Sequence, residues 1–488
     1  LIAAALGGAA GKIVAVNAVN RQELQSAETS RKIRAARERL EKEGLAPDEV
    51  ERRLELTAAD IALAERRERP FLSSNDRSRW LAIRALVELG QFEIDPLLDV
   101  HLWNTIDMVK HTGRDGQPHL YSSKPPLLYV LLAGEYWLVH KATGLTLADS
   151  PYAIGRLILL TFHLPLMLVM LWTVCLVADR YGTTDWGRLF VAAAGAFGTL
   201  FVAFVPVLNN HLPAATATAV ALYAIVRIVD DRDFRARWFW LAGLAAAFAA
   251  ANELPALALL AGAAAWLFAV EPKRTLQAFA PAAAIVVVAF FATNYWAHQS
   301  WRPPYMHRSK VDAADNWYDY EFELGGRVRE SYWRSPQGVD RGEPNRLTYA
   351  IHSLVGHHGI FSLTPIWALS VYGMGVWLRS ERRILQLLAA SIAALTMVCL
   401  VFYLGLRPQV DRNYGGMTSG FRWMFWFAPL WLVTMVPAAD RASQSRWGQS
   451  LACVLLAFSA MSAAYPTWNP WSHPWIYHWM TSCGWTLP

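Results

Sequence analysis

The sequence predicts an all-α, polytopic integral membrane protein with about eleven transmembrane helices and short helices in its outer loops. Three observations carry that prediction. Hydrophobic residues fill 54% of the 488 positions. Charged residues fill only 17%, where soluble domains carry roughly 25%. The apolar residues also gather in eleven stretches, near 1–19, 155–178, 189–207, 214–229, 237–252, 254–270, 279–297, 360–378, 384–404, 422–438 and 449–465. A run of about 20 such residues crosses a hydrocarbon core about 30 Å thick. Disorder is excluded, because it needs low hydrophobicity. Cys175, Cys399, Cys453 and Cys483 are too dispersed for a disulfide scaffold, a zinc finger or a thiol redox motif.

Residues 1–19 form the first span. Retaining it makes the spans alternate correctly; the other reading is a cleaved signal peptide with a small-residue site at Ala15-Val16-Asn17-Ala18. Residues 20–69 form an extracytoplasmic, charged helical hairpin. Leu24, Ala27, Ile33, Ala36 and Leu40 have helical spacing, as do Val50, Leu54, Ile61 and Leu63, and Gly44, Pro47 and Asp48 interrupt the two runs. The hairpin at 22–68 is either a solvated helix pair or a docking site for a protein partner. Its charges are of both signs, so the net charge of +6 does not form a nucleic-acid-binding stripe.

Residues 70–154 are the first outer loop, and Pro125-Pro126 opens a shallow or re-entrant helix near its end. Residues 155–297 are a transmembrane core, with Asn252-Glu253-Leu254-Pro255 as a tight turn between two spans. An extracytoplasmic, aromatic-rich loop covers 298–359, C-terminal spans cover 360–465, and a Trp-rich tail covers 466–488. Trp468, Trp471, Trp475, Trp479 and Trp485 suit a membrane–water interface, with stacking on carbohydrate as the other reading. Orientation follows from short-loop cations. One set of loops carries twelve Lys and Arg residues, from Arg180 to Arg446; the opposite set carries only Arg407, Arg412 and Arg422. The N-terminus is therefore cytoplasmic and the C-terminus lies outside.

Polar groups at a membrane boundary are costly, so those on the outer side single out candidate chemistry. Asp76 is either a helix N-cap or a general base at the membrane surface. Lys124 stands at the lip of a cavity, suited to a phosphate or to lipid headgroups. His357 and His358 precede a span and suit substrate hydrogen bonding, capping or metal. Arg412 and Arg422 flank the Gly415-Gly416 backbone, which suits a phosphate cradle. His211, Glu253 and Asp76 together would make a mixed-ligand site for a divalent metal.

Asp76 soon after the first span, followed by Lys124-Pro125-Pro126-Leu127 near the end of the first outer loop, resembles the GT-C glycosyltransferases. The pattern is most similar to glycosyltransferase family 39, the protein O-mannosyltransferase and aminoarabinose transferase group. Tyr152-Ala153-Ile154-Gly155-Arg156-Leu157, Arg180-Tyr181-Gly182 and the turn at Asn252–Pro255 follow in the family's order, so the likeness covers about 70–300. The chain departs from the pattern at Arg77, where an acidic residue is usual, and at Asn209-Asn210-His211, where a carboxylate is usual. The resemblance implies a polyprenyl-phosphate-linked sugar donor, transfer to a lipid, glycan or protein on the outer leaflet, and residence in a bacterial inner membrane. It implies that Asp76 deprotonates or holds the acceptor, with Lys124 near the phosphate, and that membrane lipid is a partner. The rival readings are a catalytically silent structural subunit and a lipid-glycan transporter or polymerase.

Overall fold

The computed structural model describes residues 1–15, 21–65, 73–98, 103–309, 311–466 and 469–485. The protein is 71% helical. Among the described residues, six helical stretches are long and apolar enough to cross a membrane: Pro151–Tyr181, Asp185–Phe204, His211–Val229, Pro272–His298, Arg383–Leu406 and Arg446–Ala464. The chain is thus a helical membrane protein. The other five apolar stretches are also helical but shorter, at Ile2–Ala15, Ala236–Asn252, Leu257–Val270, Trp367–Leu378 and Ala428–Ala442. At 1.5 Å per residue, the longest of these, with 17 residues, spans only about 26 Å. Residues 16–19, with most of the small-residue site, and Trp468 lie outside the described residues.

The helix His211–Val229 is the axis of the bundle. Of its window, 78% is buried, against 22% for Arg446–Ala464. Its buried positions include Ala214, Ala215, Ala219, Ala221 and Ala224, where neighbouring backbones can approach closely. Gly373 does the same elsewhere, since a Cβ there would stand 1.9 Å from the Thr434 carbonyl oxygen. The outer helix instead exposes Leu451, Val454, Phe458 and Met461, an apolar face that only lipid satisfies.

The two ends of that axial helix differ. Near Val229, Arg180 pairs with Asp230 at 2.6 Å and Arg382 reaches the same carboxylate at 3.5 Å. Asp440 accepts from the backbone amides of Thr183 and Thr184, at 2.8 and 2.9 Å, and from the Thr184 hydroxyl at 2.7 Å. Four Arg-bearing loops therefore meet at one face. At the other end, His211 sits beside Glu253, which interrupts the helices Ala236–Asn252 and Leu257–Val270 in an extended conformation, as the turn at 252–255 anticipates.

The charged hairpin is Arg21–Lys42 and Pro47–Glu65, turning at Gly44 with φ +70°, and Val50 and Leu54 are buried in it. The Pro125-Pro126 signal opens the helix Pro126–Thr143, which ends at Gly144. Two antiparallel β-hairpins interrupt the all-α pattern: Met108–Thr112 with Pro118–Ser122, and Glu321–Leu324 with Arg327–Glu330.

Asp440→Ala removes the shared acceptor of two amides and a hydroxyl that cap the helix Asp185–Phe197. A cost of about 2–3 kcal/mol is expected, read as a lowered thermal midpoint of the detergent-solubilised protein. Asp440→Asn is expected to fall between the two.

Candidate functional site

A cavity of about 640 Å³ opens at the His211 end of the bundle. Three regions build it: the start of the helix Ser74–Arg84, the segment from Ile106 to Leu128, and the loops that carry Glu253, Arg308, Asp340 and residues 407–423. Its walls carry six cationic side chains, Arg77, Arg79, Lys124, Arg308, Arg407 and Arg422, against four carboxylates, Asp107, Glu253, Asp340 and Asp411. Tyr305, Tyr318, Tyr332, Trp333, Tyr403, Trp423 and Trp471 supply aromatic surface.

Lys124 lies at the cavity wall as the sequence anticipates, with its ammonium 3.1 Å from Asp107 Oδ2. Burial pushes its pKa down to about 8, with Asp107 opposing the shift and Arg79 and Arg422 reinforcing it. Arg79 is 4% exposed. It donates to Asn210 Oδ1 at 2.7 Å and to the Asn75 carbonyl at 3.0 Å. Burial, then the neighbouring Arg422 charge, pull its pKa down to about 10.

Arg422 is aimed from the other side. Its Nε donates to the Gly415 carbonyl at 2.5 Å, Nη1 donates to His211 Nε2 at 3.0 Å, and its guanidinium lies 4.9 Å from the Trp471 ring centroid. With Nε2 accepting, the His211 proton sits on Nδ1 and is donated to Glu253 Oε1. Asn210 Nδ2 donates to the same oxygen at 2.8 Å. Among the described residues, neither Arg79 nor Arg422 has a carboxylate within ion-pairing distance.

Other candidates lie elsewhere. Asp76 is fully buried and is not among the residues lining the cavity; Trp80 Nε1 donates to its Oδ1 at 2.9 Å. Nor is it the N-cap. Ser73 caps the helix, accepting from the Asp76 amide at 3.1 Å, which puts the Asp76 side chain on the turn facing the core. His211 and Glu253 meet, but Asp76 is directed to Trp80. No group of three His, Cys, Asp or Glu among the described residues is arranged to hold a metal.

His357 and His358 are buried behind the cavity rather than lining it. The His358 ring stacks on Tyr414 at 4.5 Å, and His357 on His352 at 3.9 Å. Arg412 also stays outside, donating to the Pro344 carbonyl at 2.7 Å. The Trp-rich tail is split. Trp471 is buried over Arg422, while Trp479 and Trp485 are exposed.

The sequence reading missed Asp107, Arg79 and Asp340. Asp107 immediately precedes a strand, Met108–Thr112, that helical periodicity does not reveal. Arg79 follows the Asn75 that orients it by one helical turn, and this i, i+4 spacing was the available signal.

No protein-family model, curated protein sequence or solved structure matches this chain.

Lys124 is a cation below about pH 8 and neutral above it, so binding of an anion at this wall weakens as the pH rises through that value. A lipid phosphate monoester, whose second pKa is about 6, keeps a constant charge there. Undecaprenyl phosphate binding, followed by tryptophan quenching, is expected to fall between pH 7 and 9.5. Lys124→Arg removes the fall, and a flat wild-type profile contradicts the assignment.

Proposed function

We propose that the protein transfers a sugar from a polyprenyl-phosphate donor to a lipid, glycan or protein acceptor at the outer face of the membrane. The observation that carries this reading is the cation triad at the cavity wall, in which Arg79 is buried and Lys124 and Arg422 are half-buried. Arg79 and Arg422 flank the Lys124–Asp107 pair without carboxylates of their own. Glu253 and Asp107 act on both guanidinium groups from beyond ion-pairing distance, and an anion between the two would give them a direct partner. A ligand with both a phosphate and acyl chains suits an anion site within a helical membrane protein.

In the proposed step an acceptor hydroxyl oxygen attacks the anomeric carbon. The bond from that carbon to the phosphate oxygen breaks, its electron pair leaves with the lipid phosphate, and the configuration inverts. The acceptor proton passes to the Asp107 carboxylate. Lys124, exchanging Asp107 for phosphate, joins Arg79 and Arg422 in stabilising the charge that develops on the leaving group. Asp107 takes the role that the resemblance implies for Asp76, because it lines the cavity and pairs with Lys124, whereas Asp76 does not line it. No step uses a metal.

The matching topology has all eleven apolar stretches within the membrane and the cavity facing the periplasm of a bacterial inner membrane. The N-terminus is cytoplasmic and the C-terminus periplasmic. The Arg-rich loops gathered opposite the cavity support that orientation.

Purified protein in lipid nanodiscs, given labelled polyprenyl-phosphate sugars and envelope lipid acceptors, tests the reading. Asp107→Asn is expected to slow transfer about 10²–10⁴-fold, and Lys124→Ala about 10²-fold or more. Asp76→Asn retains most of the activity. Full activity in Asp107→Asn, with loss in Asp76→Asn, restores the buried carboxylate as the base. Absence of transfer with every donor, together with a stable complex formed through the 22–68 hairpin, turns the reading to a structural subunit.

A further inference from the structure

The four carboxylates of the cavity differ in what they face. Asp107 pairs with Lys124, and Glu253 takes the His211 proton. Asp411 receives Arg308 at 3.4 Å and Arg407 at 3.3 Å. Asp340 is held only by neutral donors: Tyr332 Oη donates to its Oδ2 at 3.0 Å, and Asn413 Nδ2 to its Oδ1 at 3.0 Å. Among the described residues no cation stands within ion-pairing distance of it, although six cationic side chains share the cavity.

Two neutral bonds fix the orientation of this carboxylate and use about half of its accepting capacity. Burial raises its pKa above the ordinary carboxylate value, with the Asp107 charge adding to the shift and Tyr332, Asn413 and Arg422 opposing it. An oriented, partly desolvated acceptor without a counter-ion is costly unless a ligand completes it. The cavity's surplus of positive charge disfavours another cation there, which leaves neutral hydroxyl donors. Hydroxyl bonds to a carboxylate are charge-assisted and stronger than bonds between neutral groups. Trp333 stands next to Tyr332 with its indole Nε1 fixed on the Ile106 carbonyl at 3.0 Å, so an aromatic wall joins Asp340 to the segment that carries Asp107.

We infer that Asp340 reads the sugar of the donor, accepting hydrogen bonds from hydroxyl groups of a neutral sugar whose phosphate lies against Arg79, Lys124 and Arg422. This inference rests on the proposed transfer reaction and deepens it. The donor is then held at two points, an anion site and a hydroxyl site of opposite charge, and the anomeric carbon lies between them. Asp340 acts on donor affinity and sugar choice rather than as the base.

Binding of undecaprenyl phosphodiesters to wild type, Asp340→Ala and Asp340→Asn separates the two sites. One probe set carries glucose, mannose, galactose or arabinose on the phosphate; the reference carries only a methyl group, so the charge is the same. The best glycosyl diester is expected to bind wild type about tenfold more tightly than the methyl diester. Asp340→Ala abolishes that preference while leaving methyl diester affinity within about twofold. Asp340→Asn keeps an acceptor for the wall and supplies the readout if the alanine variant unfolds. Equal weakening of both diesters makes Asp340 a tie between wall segments and overturns the inference, as does a wild type without preference for any glycosyl diester. If neither diester binds wild type, the transfer reading falls as well.

Discussion

The cavity depends on positive charge that the fold neutralises only in part. Arg79 is buried by the packing of its own helix, Arg422 is anchored by a backbone carbonyl and an imidazole, and neither meets a carboxylate among the described residues. Each lowers the proton affinity of Lys124, which also faces Asp107. Confining three cations costs free energy that packing elsewhere must offset. The neutral acceptors Asn210, Asn75 and Gly415 fix where the cations point without cancelling their charge. Within the site, Asp107 is the carboxylate that pairs directly with one of the three cations, Lys124.

The axial helix joins that site to the rest of the membrane domain. His211 begins it and Asp230 caps its end, so one rigid rod links the cavity to the Arg-rich loops on the opposite face. Small residues along the rod bring the surrounding helices close, and the polar groups at its ends find partners there rather than within the apolar layer. The segregation of polar groups follows from the cost of leaving any of them in hydrocarbon.

Much of this was legible in the sequence. The apolar stretches mark the helices, the hairpin at 22–68 is present as Arg21–Lys42 and Pro47–Glu65, and the turn at Asn252–Pro255 interrupts two helices as expected. Lys124 lies at the cavity because two prolines fix how its helix begins. Asp76 was legible as a carboxylate near a helix start, but Ser73, three residues earlier, takes the cap and turns Asp76 inward. Asp107 and Asp340 were not legible. Their roles come from chain segments more than two hundred residues apart meeting at one wall, and no local periodicity encodes that meeting. His357 and His358 had the right residue type but point into a stack with His352 and Tyr414.

The segment from Arg412 to Trp423, which the sequence offers as one cradle, divides its tasks between two arginines. Arg412 donates to the Pro344 carbonyl, and its own carbonyl accepts from the Glu343 amide at 2.8 Å. Gly342, at φ +73°, packs so closely that a Cβ would stand 1.7 Å from the Gln409 carbonyl oxygen. These contacts clamp the aromatic-rich outer loop onto the core and so decide where Asp340 stands. Two and three residues after Arg412, the backbone turns through Tyr414 at φ +59° and Gly415 at φ +103°, which directs the Gly415 carbonyl to Arg422. Arg412 therefore holds the wall that carries Asp340 from behind, while Arg422 lines the cavity itself. One short stretch of chain thus both fixes the wall that carries Asp340 and aims a guanidinium group into the cavity.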